Sequence, residues 1–339
     1  MANTKRVGTP NRRGESGPAR EDLKVARNDI RPDADGLIHP AALMAIKDLE
    51  LRARIVVEGF WKGIHRSPYH GFSVEFTEYR PYTPGDDPRY LDWRLYARTD
   101  RYYIKKFEDE TNLRCHLLVD NSRSMTYGSL AWTKAQYAHT LAATLAYFLS
   151  GQGDAVGLLT FDETIREYLP ARNRRGHLRH LMLMLERPAA GSATDIDAAL
   201  NRIIEVVRRR GVVVLVSDLL TSLESLEKNL TALAAWGHEL VLFQVLDPVE
   251  LKFTFNDASI FEDLESRRGL YIDPGAARRE YLSRFEAHTA AVQTIADKIG
   301  ASYVQFGTDR ALELALFDFM RARMQRNKLT RRSGGVVMR

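Results

Sequence analysis

One cysteine, Cys115, in 339 residues leaves no room for an internal disulfide or a cysteine-rich metal site. Leu113, Leu117 and Leu118 surround it in sequence, which marks a buried, inert thiol. Long apolar runs are missing as well. The stretch Val212 to Val216 falls far short of the ~18 residues of a membrane helix, and Met1 to Arg6 leads into no apolar signal-peptide core. These absences read as a cytoplasmic chain without membrane insertion. No G-x-x-x-x-G-K-S/T string occurs, so any ATP hydrolysis would have to come from a partner. No internal repeat is visible. What is present is ordinary: 45% hydrophobic residues, 27% charged, 22 Gly and 12 Pro exclude collagen-like, coiled-coil and wholly disordered chains.

The net charge of +5 belongs to the ends. Residues 1–32 hold eight Lys/Arg against four Asp/Glu, and residues 321–339 hold seven against none, so the 288 residues between them hold 34 against 40. Basic tails of this kind read as solvated termini. Nucleic-acid binding through them is the alternative, and the acidic body argues against it as the main role. Residues 1–36 have almost no large apolar side chains to offset their ordering entropy and read as disordered.

From Pro40 to about Glu58 apolar residues recur at three- and four-residue spacing, the mark of a helix. Aromatics, Gly and Pro then crowd together up to about residue 98, which reads as short strands and turns. After Arg114 strands and helices alternate. Strands are expected at 115–120, 155–161, 212–217, 240–246 and 303–306, and helices at 133–150, 176–186, 195–210, 223–236, 277–299 and 310–326. The pattern predicts an α/β fold with a doubly wound, mostly parallel sheet and a small N-terminal helix-plus-β appendage. The chain divides into a basic segment (1–36), the appendage (37–110), the α/β domain (111–326) and a basic tail (327–339).

In such sheets ligands bind beyond the carboxyl ends of the strands. The first strand ends Asp120-Asn121-Ser122-Arg123-Ser124, the loop before the helix at 195 reads Gly191-Ser192-Ala193-Thr194-Asp195, and the strand at 212 ends Ser217-Asp218. The candidate ligands Asp120, Ser122, Ser124, Thr194 and Asp218 offer only oxygen and only two charges. That set suits Mg²⁺, or Mn²⁺ or Ca²⁺, rather than zinc. With one of the two carboxylates able to act through water, the ion is incompletely neutralised by direct ligands and open to a Glu or Asp from another protein.

The D-x-S-x-S string at 120–124, with Thr194 and Asp218 at later strand tips, resembles the metal-ion-dependent adhesion site of von Willebrand factor A domains. Gly63-Ile64-His65-Arg66-Ser67, Phe72-Ser73-Val74-Glu75-Phe76, Arg80-Pro81-Tyr82-Thr83-Pro84-Gly85-Asp86-Asp87 and Asp92-Trp93-Arg94-Leu95-Tyr96-Ala97-Arg98 are similar to the signature of the domain-of-unknown-function 58 family. The resemblance implies a von Willebrand A-like domain and association with MoxR-type AAA+ ATPases. The expected role is a non-enzymatic interaction module that binds such an ATPase, or its client, through the metal. Many members carry amino-terminal membrane helices, which are absent here.

A metal-dependent phosphohydrolase or nuclease is the competing class. An aspartyl-nucleophile enzyme would want a second carboxylate where Ser122 stands, and no Lys- or His-based acid/base group follows the strand tips at recognisable spacing. Other polar residues read as structural. Asp195 is an N-cap, Asp86 and Asp87 form a turn, and Phe76, Tyr82 and Trp93 are packing aromatics. His177 and His180 read as surface residues, and Arg208 to Arg210 as the last turn of a helix. Residues 37–110 are expected to pack on the sheet edge and frame the metal rim.

Overall fold

The computed structural model describes residues 37–66, 78–82, 96, 98, 102–106, 113–189, 195–207, 209–255, 259–262, 269–272 and 274–320. The elements in chain order are α1 (Pro40–Met44), α2 (Leu49–Arg66), β1 (Glu78–Pro81), β2 (Tyr103–Lys106), β3 (Arg114–Asp120), α3 (Lys134–Gly151), β4 (Ala155–Phe161), β5 (Ile165–Arg172), α4 (His177–Leu185), α5 (Ile196–Val206), β6 (Val212–Ser217), α6 (Leu223–Ala235), β7 (Glu239–Leu246), α7 (Pro248–Lys252), β8 (Ser259–Glu262), β9 (Gly269–Ile272), α8 (Pro274–Ile299) and β10 (Ser302–Gly307). Residues 313–320 are helical.

The α/β architecture agrees with the sequence. Six strands form one sheet in the order β10-β7-β6-β3-β4-β5. All neighbours run parallel except β5, which pairs antiparallel with β4 at one edge. Strands β3 and β6 are continuous apolar runs because helices cover both faces of the sheet. From β3 the chain crosses to β4 on one side, then returns to β6 on the other. This reversal opens a crevice between the carboxyl ends of β3 and β6.

One face packs Leu117, Val119, Val214 and Phe243 against α3 and the segment 313–320. The opposite face packs Leu118, Leu159 and Leu215 against α5, α6 and the last turns of α8. Thr133 starts α3 with a capping box shared with Gln136. Helix α3 is apolar nearly all round because α2 lies on the side the sheet leaves open, with Phe60 against Phe148 and Phe317. Leu141, Leu145 and Leu149 are each fully buried, contributing about 1.5–3 kcal/mol apiece.

Several expectations change. The first predicted helix is two: Met44 ends α1, and Asp48 restarts the chain by accepting from the Leu51 amide, after which α2 runs to Arg66. Helix α2 packs on α3 rather than on the sheet edge, because Leu49, Ala53, Val56 and Phe60 form a stripe that meets it. Helix α5 stops at Val206 because Val207 turns extended, so Arg209 and Arg210 lie outside it and Arg210 rests against Gly237. His177 is buried, its ring Nε2 donating to the Val156 carbonyl at 2.7 Å, whereas His180 is exposed as expected. Strand β5 and the antiparallel pair β8-β9 are additions to the expected elements, whereas β1 falls in the stretch read as short strands and pairs antiparallel with β2. Phe76, Asp86, Asp87, Trp93 and the two basic termini lie outside the described residues.

Among the described residues, no helix is long and apolar enough to cross a membrane.

Candidate functional site

Strand β3 delivers Asp120 to the crevice with no exposed surface. Its Oδ1 accepts the Ser122 amide at 2.8 Å, an Asx-type turn that folds the chain back at once, and its Oδ2 accepts the Ser217 hydroxyl at 2.6 Å. The same turn places the Ser122 and Ser124 hydroxyls 3.1 Å apart. Ser124 then opens a 3-10 turn that ends at Thr126. Asn121 is held from behind, its amide bonded to the Phe161 carbonyl and its Oδ1 2.6 Å from His139 Nε2 on α3. Burial pushes His139 down to about 4, with the Arg52 charge adding to the effect, so the ring is neutral and donates to Asn121.

Asp218 follows Ser217 at the tip of β6, almost completely buried. The chain is positioned around it from several elements. Gln244 on β7 donates to the Asp218 carbonyl at 2.8 Å, the Leu220 amide reaches Oδ1 at 3.3 Å, and His288 on α8 meets the Leu219 carbonyl at 2.9 Å. Leu219 has φ 56°, a left-handed turn that lets the backbone leave the strand tip sharply.

Four of the five sequence-predicted ligands, Asp120, Ser122, Ser124 and Asp218, therefore meet at one rim, with hydrogen bonds linking the first three and Ser217 tying β6 to Asp120. Thr194 lies outside the described residues. Its neighbour Asp195 caps α5 by accepting the Ala198 amide, as expected, and donates its own amide to the Asp162 carbonyl just past the end of β4.

The electrostatics single out Asp120. Burial, then the charge of Asp218, pushes its carboxyl up to about 7, and hydrogen bonds from Ser217 and Ser122 only partly oppose the rise. None of the described cations pairs with it. A hard divalent cation among these oxygens would remove that cost, so the donor set fits such an ion on the chain's own terms. Among the described residues no group of three or more His, Cys, Asp or Glu is spaced to hold a metal, so hydroxyls must complete any shell here.

Sequence reasoning missed Lys134. This first residue of α3 is fully buried, its ammonium 3.0 Å from Asp218 Oδ2 and 2.8 Å from Glu250 Oε1. Burial alone would lower its pKa, but Asp218 and Glu250 outweigh burial and hold it above its ordinary value. Burial raises the Glu250 carboxyl, against the pull of Lys134. Glu250 also closes a capping box with Asp247, whose carboxylate holds Ser129 through both its amide and its hydroxyl. Tyr281 of α8 is near enough for burial, then the Glu250 charge, to push its hydroxyl up to about 12. The signal was faint but present. A lysine in the first turn of a helix opposes the helix dipole, and the run Asp247 to Glu250 spells a capping box.

A family model described as "Protein of unknown function DUF58" matches residues 78–291. The uncharacterized protein Rv1480 of Mycobacterium tuberculosis is 32% identical over 287 residues, covering 83% of this chain and 88% of that protein. The uncharacterized protein MAV169 of Mycobacterium avium is 28% identical over 160 residues, covering 46% and 93%. Partial structural similarity extends to the conserved hypothetical protein BatB from Bacteroides thetaiotaomicron, with 15% identity, TM-score 0.43 and coverage of 62% and 99%. It also extends to the SpRpn10 VWA domain, with 13% identity, TM-score 0.36 and coverage of 59% and 92%. By the family match and the mycobacterial relatives, the chain belongs to the DUF58 family.

Proposed function

We propose that the chain is a non-enzymatic interaction module that takes a partner's Glu or Asp carboxylate on a Mg²⁺-type ion held by Asp120, Ser122, Ser124, Thr194 and Asp218. One observation carries the reading. A fully buried carboxylate, Asp120, is crowded by a second one, Asp218, at the switch point of the sheet, with two serine hydroxyls beside it. Bound there, the ion would supply a positive centre with a coordination position left for an external oxygen. The chain's own groups do the positioning: the Asp120 turn aims Ser122 and Ser124, and Gln244 with the Leu220 amide fixes Asp218.

The geometry supports binding over turnover. Each oxygen of Asp120 already accepts a hydrogen bond and the residue has no exposed surface, so it is badly placed as a base for an external substrate. Asp218 is engaged by Lys134. A MoxR-type AAA+ ATPase or its client is the partner that the family resemblance suggests. The test is a pull-down with the full chain in Mg²⁺ and in EDTA, beside an Asp120→Ala chain checked for folding by circular dichroism. A partner held in Mg²⁺ and lost in both other arms is the expected result. A partner retained in all three arms overturns metal-bridged binding.

A further inference from the structure

Lys134 presents an unusual arrangement for a site that is to hold a divalent cation. It puts a fixed positive charge in direct contact with one of the two carboxylates, at 3.0 Å from Asp218 Oδ2. The ammonium is not a stray surface group, since its side chain is 1% exposed and spans to Glu250 at 2.8 Å. The surroundings keep it there. Its backbone amide donates to the Tyr127 carbonyl at 2.8 Å, and a Cβ on Gly128 would lie 2.3 Å from the Trp132 carbonyl oxygen, so the backbone at Gly128 closes tightly on the residues that start α3. Trp132 is anchored to the Thr308 carbonyl at 3.1 Å. Glu250 is fixed in turn, its Oε2 accepting the Asp247 amide at 2.9 Å.

We propose that Lys134 is the residue that sets what this site binds: its charge, shared between Asp218 and Glu250, trims the carboxylate field so that a bound divalent ion still accepts an external carboxylate. This inference rests on the metal reading above and deepens it. With a metal bound, Asp120, Asp218, Glu250 and Lys134 carry a formal total of −2, which one divalent ion neutralises. Without Lys134 the total is −3, and the ion would sit in a field that repels another anion. Without the Glu250 charge it is −1, and the ion would be held less tightly but attract an anion more strongly. Lys134 thus acts as a positioning and specificity-determining residue through Asp218, without itself touching the ligand.

The opposite signs make the idea testable on the full chain. Mn²⁺ binding is measured by the loss of the free Mn²⁺ paramagnetic resonance signal, and acetate binding to the Mn²⁺-loaded chain by calorimetry. Wild type should bind Mn²⁺, and Asp120→Ala should not. Absence of Mn²⁺ binding by wild type sinks the metal reading itself and this inference with it. Given binding, Lys134→Met should tighten Mn²⁺ about tenfold and weaken acetate by a similar factor, whereas Glu250→Gln should weaken Mn²⁺ and strengthen acetate by about threefold or more. A merely structural lysine would lower Mn²⁺ affinity in both variants, and that result, or unchanged acetate binding in both, overturns the inference. If Lys134→Met does not fold, Glu250→Gln decides alone through both readouts: unchanged or tighter Mn²⁺ binding, or acetate binding that fails to strengthen, refutes the proposal.

Discussion

Replacing Asp120 by Asn should stabilise the metal-free protein at high pH and destabilise it at low pH, a reversal of sign that few buried substitutions produce. Asp120 is pushed up to about 7 from an ordinary value of 3.8 by burial first and by Asp218 second. A carboxyl raised in this way binds its proton more tightly in the folded chain than in the unfolded one. Its contribution is therefore complete below pH ~4 and lost as pH rises through ~7. The loss is about 4 kcal/mol at full ionisation, since each tenfold difference in proton affinity is worth ~1.4 kcal/mol. Asn escapes that loss, but it accepts through one oxygen only. The Ser122 amide or the Ser217 hydroxyl must adjust, at a cost of ~1 kcal/mol. The balance at pH 8 in EDTA is a variant more stable than wild type by ~2–3 kcal/mol, and at pH 4 less stable by ~1 kcal/mol. Urea unfolding of both full-length chains, at pH 4, 6 and 8 in EDTA, reads this directly. Mg²⁺ at a hundred times its dissociation constant should restore ~2.7 kcal/mol to wild type at pH 8 and nothing to the variant. An Asp120→Asn chain that is the less stable one at pH 8 in EDTA, or a gap that ignores pH, would refute the reasoning.

Two further outcomes test the scaffold. Phe60→Ala removes a ring that is 1% exposed and lies 5.6 Å from Phe148 and 4.7 Å from Phe317, so unfolding free energy should fall by ~3–5 kcal/mol. A loss under ~1 kcal/mol would mean that α2 does not share the main core. His116 on β3 is pushed down to about 4 by burial first, then by His238 and Arg114. A lowered histidine is neutral in the fold and takes its proton more readily when unfolded, so its presence erodes stability as pH drops from ~6.5 towards ~4. His116→Leu should flatten that acid limb by up to ~3 kcal/mol, and an unchanged slope of stability against pH would count against it.

The central strands and the convergence of Asp120, Ser122, Ser124 and Asp218 were legible because both depend on short stretches of chain. Cys115 to Asp120 and Val212 to Asp218 each read as an apolar run closed by an acid, and a doubly wound sheet carries such tips to one rim. Asp120, Ser122 and Ser124 lie within one turn, so local geometry alone joins them. What escaped is set by distant partners. Ile165 to Arg172 is an edge strand of mixed burial with Pro170 inside it, and its pairing with β4 outweighs that weak pattern. His177 became a core residue because Val156, 21 positions earlier, offers it a carbonyl. Lys134 meets acids 84 and 116 residues away, a relation no local pattern encodes.

The two carboxylates of the rim are built in opposite ways, and that contrast bears on how the site would work. The Asp218 carboxylate accepts from Lys134 and the Leu220 amide while Gln244 holds its main-chain carbonyl, on a turn at Leu219 that His288 steadies. Holding Leu219 at φ 56° costs on the order of 1 kcal/mol, which the surrounding bonds offset, so the position of Asp218 is set before any ligand arrives. Asp120 is equally fixed in place, yet its charge is left uncompensated among the described residues. A site with fixed geometry and one unbalanced charge loses little ordering entropy on binding a cation, and it regains electrostatic energy that the empty fold forgoes. Selection then rests on charge rather than on movement. For that reason the lysine beside Asp218, rather than a mobile loop, is where the preference of this rim for one ligand over another would be decided.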